Sequence, residues 1–244
     1  MDWKAWTPAL VAELALDRKP VAVGFLGALP PGAPPPEGKV SVCQALQRSS
    51  EGHAVTLTAE TCGCPGGLVN LGLGRTPAEG KERLITFLVD KERAFASRAA
   101  LHRGQSVLEP PLGLASHVCF APLDQAGFQP DLVLFLGRPG SLQRLIGLVN
   151  FWEGGRLATD LSGPTCRAGI TAPLLTGDLG LSLLDFGARR LAVFPEELLL
   201  VSVPFHRMLG VLAALEGPAR RENLGREEAV RDIEALGPVE RPGV

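Results

Sequence analysis

The segment Cys62-Gly63-Cys64-Pro65-Gly66-Gly67 has the residue types and spacing of a reactive thiol site. Two thiols separated by one residue face a common centre only where the backbone turns sharply, and Gly63 permits that turn. Pro65 favours the first position of a helix, which places Cys64 beside a helix N-terminus. Free N–H groups and the helix dipole stabilise a thiolate there. We therefore identify Cys64 and Cys62 as candidate reactive thiols.

The other cysteines extend this pair to a possible metal-ligand set. The chain has five cysteines, and Cys43 and Cys166 both fall near the predicted starts of helices. Four thiolates hold an iron–sulfur cluster or a tetrahedral zinc ion. We expect a metal site formed by Cys43, Cys62, Cys64 and Cys166. Because the chain has no Cys-x2-Cys pair, these residues must converge from distant segments. Cys119 is interpreted as a small buried hydrophobic residue.

The glycines also allow an anion-binding interpretation. The backbone N–H groups of Gly66 and Gly67, next to Pro65 at a helix start, are suited to a phosphate or a carboxylate. The chain contains neither the Walker pattern nor G-x-G-x-x-G. Arg167 follows Cys166 directly, where it could lower the thiol pKa or bind a carboxylate. Pro65, Gly66, Gly67 and Arg167 are therefore candidate ligand-binding or cofactor-binding residues.

Histidine and serine chemistry have little support. The histidines lack the H-x3-H and H-E-x-x-H spacings of metal sites, which favours packing or surface positions for His53, His102, His117 and His206. Ser182 and Ser202 lack the sequence context of a nucleophile elbow.

Charge and hydropathy exclude several classes of partner. The chain has 244 residues with 24 basic and 26 acidic side chains, which argues against nucleic acid or a membrane surface as the main partner. Its most apolar windows, 131–136 and 198–203, are far shorter than the roughly 20 residues of a membrane-spanning helix. The unevenly spaced cysteines do not form a secreted disulfide framework, and the N-terminus lacks a leader pattern. We expect a cytoplasmic protein with a small-molecule or redox partner.

Hydrophobic periodicity predicts a single α+β domain over residues 1–216 and a charged helical or frayed tail over residues 217–244. Predicted helices cover residues 3–16, 42–50, 76–101, 141–152, 205–215 and 226–236, with a short helix after Pro65. Predicted strands cover residues 21–26, 53–58, 118–121, 131–137, 156–161 and 201–203.

The chain contains an apparent internal repeat, with segments 18–75 and 129–177 as its two copies. Lys19–Gly27 is similar to Gln129–Gly137, and each copy continues through a helix, a glycine turn and a short strand to a Thr-Cys pair. We therefore expect two related strand–helix–strand–Cys-loop halves that share a site, followed by a helical C-terminal extension.

These segments resemble an uncharacterised family, domain of unknown function family 169, over most of residues 10–215. The resemblance is based on 18–23, Cys43, 64–67 with 71–73, 131–134, and Cys166 before 170–173. It implies a cytoplasmic protein with cysteines at recurring positions, and it implies no particular activity. The family's later cysteine-rich region differs here, because residues 184–189 contain no cysteine.

The leading hypothesis from sequence is an iron–sulfur redox protein ligated by the four cysteines, with zinc as the alternative metal. A second hypothesis is a cofactor-free thiol enzyme in which Cys64 is the nucleophile and Cys62 or Cys166 is the resolving thiol. A third is a non-catalytic module that binds a small anion at Gly66 and Gly67.

Overall fold

The computed structural model describes residues 2–105, 110–152, 154, 157–159, 161, 163–217, 230–231, 234–235 and 237. At its centre is a six-stranded sheet whose paired strands are all antiparallel, in the order β2-β3-β1-β4-β6-β5. The strands are β1 (Val21–Leu26), β2 (Val55–Leu57), β3 (His117–Pro122), β4 (Leu132–Gly137), β5 (Gly180–Ser182) and β6 (Leu199–Pro204).

Helices cover both faces of this sheet, which confirms the predicted α+β class. They are α1 (Trp3–Leu14), α2 (Val42–Ser50), α3 (Pro65–Asn70), α4 (Ala78–Thr86), α5 (Arg98–Gln105), α6 (Pro139–Val149), α7 (Ala172–Thr176), α8 (Phe186–Leu191) and α9 (Phe205–Glu216). Two π-helices span Phe87–Lys91 and Arg167–Thr171, and a 3-10 helix spans Leu123–Gln125. Within the described residues, no helix is both long and apolar enough to cross a membrane.

Side chains of the sheet are buried on both faces with the period of two that a strand imposes. On β4, Leu132, Leu134 and Leu136 belong to one core, and Val133 and Phe135 belong to the other. We call the side of Leu134 the first face and the side of Phe135 the second face. The first face is covered by α2, α3, α8 and the second π-helix. The second face is covered by α1, α6 and α9.

The two related halves are not confirmed. The strand order read outward from the β1–β4 pair is symmetric, with β3 and β2 on one side and β6 and β5 on the other. However, α2 lies on the first face and α6 on the second, so the helices that follow β1 and β4 do not correspond. The predicted strand at 156–161 is also wrong where it can be checked, because residues 157–159 and 161 lie in no helix or strand.

The edge strand beside β6 is β5, which the sequence pattern did not predict. It pairs with β6 through Gly180, Leu181 and Ser182. Most of the predicted tail, residues 217–244, lies outside the described residues. Residues 230–231 and 234–235 are helical, inside the predicted 226–236 helix.

Candidate functional site

The first turn of α2 is fixed by a reciprocal pair of hydrogen bonds. The Gln44 backbone N–H donates to Ser41 Oγ at 3.2 Å, and the Ser41 N–H donates to Gln44 Oε1 at 3.0 Å. This capping box satisfies backbone donors at the start of the helix. It sets the position of Val42 and Cys43, the first two residues of α2.

The Cys62–Cys64 segment is held against the residues that precede α2. The Val40 N–H donates to the Thr61 carbonyl at 2.9 Å, and the Gly63 N–H donates to the Val40 carbonyl at 2.8 Å. A Cβ atom on Gly63 would lie 3.1 Å from the Val40 nitrogen, so glycine allows this close approach. Cys62 and Cys64 are therefore held beside the start of α2.

Cys64 is the N-cap residue of α3, and Pro65 is its first residue, as the sequence pattern indicated. A Cβ atom on Gly67 would lie 2.6 Å from Cys64 Sγ, 3.3 Å from Cys62 Sγ and 2.5 Å from Val42 Cγ2. The two sulfur atoms and the Val42 side chain thus meet over the Cα atom of Gly67. Any larger residue at Gly67 would displace them.

Polar groups beside the Cys64 sulfur favour its thiolate. The Cys62 thiol contributes most, followed by the backbone N–H groups of Val42 and Gly67, and together they lower the pKa of Cys64 from 9.0 to about 6. Burial and the charge of Asp185 act in the opposite direction. Because Val42 opens α2 and Gly67 lies in the first turn of α3, the sulfur lies at two helix N-termini.

Cys62 retains its proton. Its hydrogen bond to Cys64 raises its pKa most, and burial raises it further. The single thiol proton lies within reach of the Cys64 sulfur and also of the Cys64 carbonyl oxygen, which is 3.7 Å from Cys62 Sγ. The pair therefore consists of a buried thiol donor and a half-buried thiolate acceptor.

Cys43 and Cys166 lie in the same first-face core as the Cys62–Cys64 pair. Burial is the largest cause of a raised pKa for both thiols. The charge of Asp185 and that of Cys64 raise the pKa of Cys43 further, and Cys166 also interacts with Cys43. The four cysteines that the sequence nominated thus share one core, and burial favours the protonated form of Cys43 and Cys166.

Asp185 also belongs to this site, and the sequence analysis missed it. It is the N-cap residue of α8, and its Oδ1 atom accepts hydrogen bonds from the Ala188 N–H at 3.1 Å and the Thr165 hydroxyl at 2.9 Å. Its charge acts on Cys43, Cys64 and Cys166. Aspartate before a helix is a recognisable N-cap signal. The signal was missed because the six-residue α8 was not predicted.

Arg167 has a different environment from the one expected. It begins the second π-helix with only 3% of its surface exposed, and a Cβ atom on Gly163 would lie 2.5 Å from its Nε atom. The pKa of Cys166 is raised by burial, and Arg167 is not among the groups that shift it. A role for Arg167 in binding a carboxylate stays a prediction from the sequence.

The second π-helix is tied to α3 by buried polar contacts. The Thr171 hydroxyl donates to the Asn70 carbonyl, and Asn70 Nδ2 donates to the Gly66 carbonyl at 2.7 Å. These contacts fix the segment after Cys166 relative to the helix that Cys64 caps. π-Helical segments frequently occur at functional sites.

The arrangement does not fit a single bound metal ion. Among the described residues, no group of three or more His, Cys, Asp or Glu side chains is placed to hold one. A zinc ion or an iron–sulfur cluster held by Cys43, Cys62, Cys64 and Cys166 therefore stays a prediction from the sequence.

The comparisons with known proteins agree with the sequence resemblance. An uncharacterised protein of Methanocaldococcus jannaschii is 26% identical over 219 residues, which are 85% of this chain and 91% of that protein. No solved structure gives a significant match. The family model for domain of unknown function 169, described as "Uncharacterised ArCR", matches residues 9–214. The chain therefore belongs to domain of unknown function family 169.

Proposed function

We propose that Cys62 and Cys64 form a redox-active dithiol in which Cys64 is the attacking thiolate and Cys62 is the resolving thiol. The observation that carries this proposal is the environment of the Cys64 sulfur. The Cys62 thiol and the backbone N–H groups of Val42 and Gly67 favour its thiolate and lower its pKa. A thiolate, and not a thiol, is the nucleophile in disulfide exchange.

The pKa of Cys64 suits this role at neutral pH. A value of about 6 makes the thiolate the major form, while an attacking thiol is most effective when its pKa is near the ambient pH. Cys64 is half-buried, and its neighbours Gly63 and Pro65 are exposed. A disulfide from solution therefore has access to this part of the site. We take the cytoplasm as the setting, because reduced thiols persist there.

The exchange balances without a cofactor. The Cys64 thiolate attacks a disulfide of a small thiol compound or a protein, forms a mixed disulfide, and releases one substrate thiolate. Cys62 then attacks the Cys64 sulfur and releases the second substrate sulfur, leaving a Cys62–Cys64 disulfide. The substrate gains two electrons, one proton from Cys62 and one proton from solvent. Cys62 is the favoured resolving thiol over Cys166 because Cys62 donates a hydrogen bond to Cys64.

Oxidised glutathione serves as the probe disulfide. Cys62 and Cys64 lie in one tryptic peptide, residues 49–75, so their disulfide makes that peptide lighter by two hydrogens. We expect this species from the wild-type protein, a trapped glutathione adduct on Cys64 in the double variant Cys62→Ser with Cys43→Ser, and neither product in Cys64→Ser. Cys119→Ser is the matched control, because Cys119 belongs to a different core cluster. Free, alkylatable Cys62 and Cys64 after treatment would contradict the proposal.

A second candidate is an iron–sulfur cluster, favoured by the convergence of Cys43 and Cys166 with the dithiol. In such a cluster each cysteine binds an iron atom of the cluster, so the four thiolates need not surround a single ion. When bound, the cluster would supply one-electron transfer. Iron and acid-labile sulfide are to be measured in protein purified without oxygen. Near-stoichiometric iron and sulfide that are lost in Cys43→Ser and Cys166→Ser would favour the cluster over the dithiol. Negligible iron and sulfide would favour the dithiol.

A further inference from the structure

We propose that Cys43 and Cys166 form a second, interior dithiol that accepts the disulfide from Cys62–Cys64, so that the site stores four electrons. This inference is based on the proposed function of Cys62 and Cys64, which we call the outer pair. We call Cys43 and Cys166 the inner pair.

The positions of the inner pair support this inference. Cys43 follows Val42, whose Cγ2 atom meets the outer-pair sulfurs over Gly67. Helix α2, which carries Cys43, packs against α8, whose N-cap Asp185 is bonded to Thr165, the neighbour of Cys166. Cys43 and Cys166 therefore lie on segments that are connected through α8 although they are distant in sequence.

The electrostatic interactions indicate the same neighbourhood. Cys43 interacts with Cys64 and with Cys166, and Cys166 also interacts with Cys62 and Cys64. All four thiols belong to the first-face core. Cys119 is equally buried but lies on β3 in a separate cluster. The inner pair thus shares its core with the outer pair, whereas Cys119 does not.

Burial separates the roles of the two pairs. Cys43 is 8% exposed and Cys166 is 6% exposed, whereas Cys64 is only half-buried. A disulfide of glutathione size in solution therefore reaches Cys64 before it reaches the inner pair. Oxidation of the inner pair must proceed by exchange with the outer disulfide.

The exchange occurs in two steps. Cys43 attacks the Cys64 sulfur of the outer disulfide, Cys62 leaves, and the proton of Cys43 passes to Cys62. Cys166 then attacks the Cys43 sulfur, Cys64 leaves as a thiolate, and the proton of Cys166 passes to solvent. The disulfide has moved inward without a net change in electrons. A second molecule of glutathione disulfide can then oxidise the outer pair again.

Thiol counting with peptide mapping tests this relay. The reduced protein is treated with excess oxidised glutathione, unfolded in alkylating reagent, and digested with trypsin. Cys43 lies in peptide 40–48 and Cys166 in peptide 157–167, so an inner disulfide joins two peptides that are otherwise separate. We expect four of the five thiols to be oxidised in the wild-type protein, with Cys119 still free.

Two variants separate the failure of this inference from the failure of the proposed function. Cys43→Ser should lose only the two outer thiols and leave Cys166 alkylatable. The double variant Cys62→Ser with Cys64→Ser should keep Cys43 and Cys166 reduced, because no outer disulfide is present to oxidise them. An outer disulfide with both inner thiols still free would overturn the relay alone. The absence of any outer disulfide would overturn the proposed function as well.

Discussion

The sulfur of Cys64 lies against Gly67, where an added Cβ atom would be 2.6 Å from it. The backbone N–H groups of Val42, which opens α2, and of Gly67, in the first turn of α3, both lower the pKa of Cys64. The partial positive charge of a helix N-terminus stabilises an anion. This explains why the negative charge lies on Cys64 and not on its neighbour Cys62, which is more deeply buried and donates the hydrogen bond.

Removing the Cys62 thiol should raise the pKa of Cys64. In Cys62→Ala the Cys64 thiolate loses its largest stabilising hydrogen bond and keeps those from Val42 and Gly67. Cys62→Ser retains a donor and should restore part of the shift. Titration of the ultraviolet absorbance of the thiolate measures the pKa in each variant. Identical titrations of wild type and Cys62→Ala would show that Cys62 does not stabilise the thiolate.

Gly67→Ala should destabilise the protein, while Gly66→Ala should not. The new Cβ atom at position 67 would lie 2.5 Å from Val42 Cγ2 and 2.6 Å from Cys64 Sγ. At position 66 the nearest atom is Asn70 Nδ2 at 4.0 Å. Overpacking of this kind costs about 1–3 kcal/mol. Urea unfolding of both variants measures the difference, and equal midpoints would show that the contact over Gly67 is not tight.

The free energy of unfolding should depend on pH through the thiols. It should rise with pH below pH 9 and fall with pH above pH 9. Between pH 6 and pH 9 the folded chain binds fewer protons than the unfolded chain, because the pKa of Cys64 falls from 9.0 to about 6 on folding. The free energy of unfolding of wild type, relative to Cys64→Ser, therefore rises with pH in this range and is lost as pH falls through 6.

Above pH 9 the effect reverses. The raised pKa values of Cys43, Cys62 and Cys166 keep these thiols protonated in the folded chain, while the same thiols ionise in the unfolded chain near 9.0. Stability therefore falls. Urea unfolding under reducing conditions across this range measures both effects. Parallel curves for wild type and Cys64→Ser would contradict the assignment of the thiolate to Cys64.

Thr171→Val should loosen the connection between the second π-helix and α3. The substitution removes the buried hydroxyl that donates to the Asn70 carbonyl. Leaving a buried acceptor unsatisfied costs about 1–3 kcal/mol, which urea unfolding can detect. Thr176→Val is the control, because its exposed hydroxyl makes only local bonds, donating to the Ala172 carbonyl at 3.0 Å and accepting from the Asp178 N–H at 3.1 Å. An equal loss of unfolding free energy in both variants would show that the Thr171–Asn70 hydrogen bond does not stabilise the fold more than a local bond does.

Local sequence signals were sufficient for the elements with strong patterns. The β-branched run at 21–26 predicted β1 with its observed bounds, and the helix predicted at 42–50 coincides with α2. The Cys64-Pro65 pair correctly indicated a helix start, because proline fits the first turn and the residue before it is extended. The helix predicted at 42–50 correctly placed Cys43 near a helix start.

Non-local features could not be predicted from these patterns. The three residues of β5 and the six of α8 are too short for a periodic signal, so Asp185 was missed. Nothing local determines that α6 packs on the opposite face of the sheet from α2, which is why the similar segments suggested related halves. The Val42 N–H, which lowers the pKa of Cys64, belongs to a residue 22 positions away in the chain, so this effect depends on the tertiary fold.

The rate of Cys64 alkylation as a function of pH tests the central claim most directly. Reduced wild-type protein is treated with iodoacetamide at a series of pH values, and the modified peptide 49–75 is quantified by mass spectrometry. The account predicts one fast thiol whose rate is half-maximal near pH 6 and which is absent in Cys64→Ser. A midpoint near 9.0, or a fast thiol that persists in Cys64→Ser, would contradict it.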